Sequence, residues 1–86
     1  MGVAWRVGVL RRGTENVAWE RAGVAGGWAE ARSYAVAVLT DLARSEGRQE
    51  YRVEVGDVVG IVNPGLDENG EVDTTDLGSA LRLHRE

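Results

Sequence analysis

Apolar residues recur every three or four positions between residues 28 and 44. Trp28, Ala31, Ala35, Val38, Leu39 and Leu42 would lie on one side of a helix with about 3.6 residues per turn. Glu30, Ser33, Asp41 and Arg44 fall mostly off that stripe, so the segment reads as an amphipathic helix packed on another layer. Alanines at 29, 31, 35, 37 and 43 favour the helix and permit close backbone approach, and Gly47 suits its end. Such a helix is marginal alone in water, so the rest of the chain must supply the surface it covers.

That surface is predicted from period-two alternation. Val3, Trp5, Val7 and Val9 alternate with Ala4, Arg6, Gly8 and Leu10, a strand with one face toward a core. The polar run 11–16 reads as a hairpin connection, followed by a second strand in which Val17, Trp19 and Arg21 alternate with Ala18 and Glu20. Residues 23–27, Gly-Val-Ala-Gly-Gly, read as the passage from sheet to helix. Beyond Gly47, Tyr51, Val53 and Val55 alternate with Glu50, Arg52 and Glu54, Gly56-Asp57 suits a tight turn, and 58–62 is a further apolar run. Gly60 within that run suggests a bulge or a close approach.

The predicted fold class is α+β: a single helix packed on a mainly antiparallel four-stranded sheet, in the order β-β-α-β-β. A C-terminal strand or extended tail is expected to follow. The chain is read as one domain over 1–86, with 63–79 an acidic, mobile loop whose turn centres on Asn69-Gly70. The expected core is Trp5, Trp19, Trp28, Val38, Leu39, Leu42, Tyr51, Val53 and Ile61. A chain of 86 residues buries only about 60% of the surface it exposes when unfolded, which makes self-association an attractive supplement.

Charge divides the chain. Residues 1–48 hold seven Arg against five acids, a balance of +2, whereas 49–86 hold three Arg against nine acids, a balance of −6, giving the net −4. All ten basic residues are Arg, which hints at a GC-rich bacterial or phage genome and makes every cation a planar, bidentate donor. There is no Cys, so disulfides and thiolate metal sites are excluded and a reducing, cytoplasmic setting is the simplest expectation. No apolar run suggests secretion or a membrane span.

Candidate chemistry is thin. The glycines of 23–27 ahead of a helix could cradle a phosphate, but neither G-x-G-x-x-G nor a Walker pattern is present. Asp67, Glu68, Glu71, Asp73 and Asp76 could gather a hard cation, yet an EF-hand starting at Asp67 would need Gly where Val72 stands and Glu where Gly78 stands. His84 is the one histidine and has no nucleophile at a useful spacing. The expectation is therefore a non-enzyme without metal or cofactor.

Two binding readings follow. In the first, the sheet face away from the helix is a protein interface formed by Arg6, Leu10, Ala18, Glu20, Arg52 and Glu54, receiving a second copy to make a homodimer, or another protein. An adaptor or inhibitor that places its acidic half in a basic site of a host protein is a variant of it. In the alternative, the basic N-terminal hairpin binds nucleic acid through Arg6, Arg11, Arg12 and Arg21. Two strands leading into a helix with Glu-Ala-Arg-Ser-Tyr-Ala at 30–35 resemble the layout of AP2-like DNA-binding domains. That resemblance implies duplex DNA as the ligand; it covers less than half the chain and lacks the third strand those domains place before the helix.

Overall fold

A computed structural model describes residues 2–73. Strands β1 (Val3–Leu10) and β2 (Ala18–Ala25) lead into helix α1 (Trp28–Glu46), and β3 (Glu50–Val55) and β4 (Val58–Val62) follow it. This is the α+β class and element order that the patterning predicts. The spatial order of the sheet is β2-β1-β3-β4, with every neighbouring pair antiparallel. Because β2 and β3 are both antiparallel to β1, they run parallel to each other. The helix is thus the crossover that carries the chain from one side of β1 to the other.

The core forms where the helix crosses the two central strands. Trp5, Val7 and Val9 of β1 and Tyr51, Val53 and Val55 of β3 are buried, as are Ala31, Ala35, Leu39 and Ala43 of the helix. Those four helix residues are spaced by four, a single row along the cylinder, and three are alanines, so the helix backbone can lie close to the sheet. Leu39 is the one large side chain in the row. Trp28, Val38 and Leu42 flank it half-buried.

Local chemistry accounts for the helix ends. Gly27 is the N-cap in extended conformation and offers no side-chain cap, while the Gly26 N–H donates to Glu30 Oε1 at 3.5 Å, a long contact. At the other end Gly47 takes a φ of 76°, which favours glycine, and its N–H donates to the Ala43 carbonyl at 2.8 Å. Tyr51 reinforces this end from β3: its hydroxyl donates to the Gly47 carbonyl at 2.7 Å, with the Leu42 carbonyl at 3.4 Å. Burial, and next the nearby Glu46 carboxylate, push the Tyr51 phenol pKa up; Arg11 opposes them.

Two expectations fail on β2. Of the segment read as a passage, 23–27, residues 23–25 are strand: with Ala22 before them, Gly23, Val24 and Ala25 pair with Arg6, Trp5, Ala4 and Val3 in turn. Glycine is required at 23 because a Cβ there would lie 2.8 Å from the Trp5 ring, which occupies the space above it and stacks on Tyr34. The second failure is one of facing. The register shifts between Val7 and Gly8, so that Ala18 pairs with Val9, Trp19 with Gly8 and Arg21 with Val7, and Glu20 is the extra residue of a bulge. Ala18 therefore faces the helix, and Trp19 stands on the outer face, 38% exposed, instead of in the core.

Ile61 is likewise an outer-face residue, 53% exposed. It pairs with Arg52, which places Val58, Gly60 and Val62 on the helix side. After β4, Pro64 is buried and the chain forms a small hairpin closed by a Leu66–Val72 bridge. Asn69-Gly70 is its turn, with the Gly70 N–H donating to the Asp67 carbonyl at 3.0 Å. The expected C-terminal strand or extended tail, with Asp76 and His84, lies outside the described residues.

Candidate interaction surface

The outer face of the sheet is built from the alternate positions that the helix does not touch. Strand pairing lays them out in rows across the four strands: Trp19, Gly8, Arg52 and Ile61 in one, Ala22, Arg6, Glu54 and Val59 in the next. Leu10 lies opposite Glu50 at one end. Among the described residues no helix or loop covers this face, and Val59 and Ile61 on the edge strand are 61% and 53% exposed.

Arginine and glutamate are paired across the face rather than scattered. Arg6 Nε and Nη2 donate to the two Glu54 carboxylate oxygens at 3.0 and 3.1 Å, a bidentate cross-strand pair. The same guanidinium lies 3.7 Å from the centre of the Trp19 ring, so one side chain joins a carboxylate on β3 to an aromatic on β2. Trp19 sits over Gly8, where a Cβ would come within 2.9 Å of the indole. Arg52 is held by Glu50 two residues before it. These pairs are half exposed and contribute modestly to stability; what they fix is the orientation of the groups a partner would meet.

Of the six residues expected at the interface, Arg6, Leu10, Arg52 and Glu54 share the outer face and Ala18 and Glu20 do not. Glu20, displaced by the bulge, has its carboxylate 3.6 Å from Arg11 and borders a crevice with Val38, Asp41, Leu42 and Ser45 of the helix. The patterning missed Trp19, Val59 and Ile61. For Val59 and Ile61 no signal existed, because nearly every residue of the 58–62 run is apolar and its facing is set by pairing with β3. For Trp19 there was none either, since the bulge is invisible in the alternation.

The four arginines of the nucleic-acid alternative are not gathered into one patch. Arg6 is on the outer face with Glu54. Arg21 faces the helix side beside Asp41, and Arg12 is in the hairpin loop. Arg11 donates to both oxygens of Glu46 at the end of the helix, at 2.7 and 2.6 Å. Of the acidic residues in the small hairpin, Asp67 serves its turn, Oδ1 accepting from the Asn69 and Glu71 N–H groups. Among the described residues no three acids or histidines come together as a metal site.

The Arg11–Glu46 pair gives stability a defined pH dependence. The hydrogen bond from Arg11, aided by its charge and opposed by burial, holds the Glu46 carboxyl below its ordinary value of 4.5. A carboxyl with a lowered folded pKa stabilises the fold above its unfolded value, and that contribution disappears as the pH falls through the lowered one. Substituting Arg11→Met should therefore flatten the loss of thermal stability between about pH 5 and pH 3. Parallel melting profiles for the two proteins would show that the pair contributes nothing.

In comparison with known proteins, no family model, no curated protein and no solved structure matches this chain. No helix among the described residues is long and apolar enough to cross a membrane.

Proposed function

We propose that this protein is a binding module that self-associates through the outer face of its sheet. The observation that carries this reading is the combination of exposed Trp19, Val59 and Ile61 with two ordered Arg–Glu pairs on a face that no described element covers. An antiparallel sheet with one face on a helix normally turns polar residues outward. Here the outward residues are apolar side chains framed by equal numbers of positive and negative groups.

That charge balance favours a second copy as the partner. Arg6 and Arg52 are matched by Glu50 and Glu54, so two such faces related by a twofold axis can meet without net repulsion, although each chain carries −4 overall. The apolar residues toward the edges supply the burial that a small domain lacks alone.

Sedimentation equilibrium of the full chain tests the proposal. The wild type is expected to dimerise in the micromolar range, and Ile61→Asp, exposed and remote from the core, to shift it to monomer with an unchanged far-ultraviolet spectrum. A wild type that stays monomeric at every concentration, or a variant that dimerises equally well, would exclude self-association by this face.

A further inference from the structure

A cavity lies at one end of the sheet, where it meets the outer face at Leu10 and Glu50. It is a cleft of about 470 Å³ between the β1–β2 loop, the α1–β3 connection and the segment after β4. Arg12, Gly13 and Thr14 form one wall, Arg48 and Gln49 another, and Pro64 a third. A space of this size falls in the range of small-ligand sites.

Its electrostatics are unlike those of the chain as a whole. Arg12 and Arg48 are exposed, and neither makes an ion pair among the described residues. The other charges on the wall are already engaged, Arg11 by Glu46 and Glu50 by Arg52. What remains is two unneutralised arginines lining one cleft from loops 36 residues apart in sequence (48 − 12) in an acidic protein. Beside them Gln49 Oε1 is buried without a hydrogen-bond partner.

We propose that this cleft binds a small phosphate monoester. Its phosphate is held between Arg12 and Arg48, and its remaining atoms rest against Leu10 and Pro64. Phosphate fits better than carboxylate because a carboxylate is saturated by one bidentate fork, whereas the three terminal oxygens of a phosphate accept two. The cleft adjoins the outer face at Leu10 and Glu50, but Arg12 and Arg48 belong to the loops, so monomer formation in Ile61→Asp and loss of binding in Arg12→Ala are read separately.

The test uses the full chain, labelled with 15N, titrated with inorganic phosphate and in parallel with adenosine 5′-monophosphate at constant ionic strength. Saturable shifts confined to Gly13, Thr14, Gln49 and Gly65 are expected, with the monoester binding more tightly than phosphate. Arg12→Ala and Arg48→Ala should each weaken binding at least about tenfold while the remaining resonances stay in place. Shifts that rise linearly without saturating, or variants that bind as the wild type does, would overturn the proposal. So would binding of duplex DNA in the absence of any monoester binding, which would point to a nucleic-acid backbone instead.

Discussion

Replacing Leu39 by alanine is expected to destabilise the domain by about 2–5 kcal/mol, toward the upper end of what a leucine truncation costs. Leu39 is wholly buried and is the one large side chain in the row Ala31, Ala35, Leu39, Ala43. Its neighbours one turn away on the helix are methyl groups that cannot move in to fill the space, so most of the cavity would persist. Small domains have only about 5–15 kcal/mol of net stability, so a large part of it would be lost. Urea unfolding should show a lower midpoint with an unchanged slope. Leu39→Met, which keeps the volume, should cost less than about 1.5 kcal/mol. An alanine variant within about 1 kcal/mol of the wild type would mean that the helix does not pack on the sheet through this row.

Tyr51 is the second site of large effect, and two substitutions there separate two contributions. Tyr51→Ala removes a fully buried ring from the central strand β3 and should cost about 3–5 kcal/mol, as other buried aromatic truncations do. Tyr51→Phe keeps the ring and removes only the hydroxyl that donates to the Gly47 carbonyl at 2.7 Å, for a loss of about 0.5–1.5 kcal/mol. The phenylalanine variant should also exchange the amides of 47–49 faster than the wild type, because the hydroxyl ties the end of the helix to the sheet. Equal losses for the two substitutions would show that the hydrogen bond, not the packing, dominates. No loss for phenylalanine would show that the tie is not made in solution.

Both sites lie on elements whose facing was legible in the residues. The helix shows its buried row through three- and four-residue spacing, and β1 and β3 alternate cleanly because each is a central strand with one face on the helix. Central strands are paired on both sides, which leaves little freedom to irregular facing. The hairpin turns at Gly56-Asp57 and Asn69-Gly70 were legible for a different reason: Gly56 and Gly70 take φ values of 59° and 79°, a region that side chains disfavour.

The edge strands were not legible in the same way, and the candidate surface depends on them. In β2 the segment 22–25, three small residues and Val24, carries no alternation, and its membership of the sheet follows from the Trp5 ring that needs Gly23 beneath it. The extra residue Glu20 reverses facing for Ala18 and Trp19 and restores it at Arg21, so a strict period of two misassigns both. In 58–62 nearly every residue is apolar, and only pairing with β3 decides that Val59 and Ile61 point outward.

Local spacing alone thus determined the class of fold, the order of its elements and the side of each central strand that meets the helix, because burial against one partner imprints a period on the residues that make it. Tertiary structure decided the order of strands in space, the bulge that brings Trp19 under Arg6, and the placing of Arg12 and Arg48 on one cleft at the end of the sheet. Those depend on contacts between segments far apart in the chain, for which no periodicity exists.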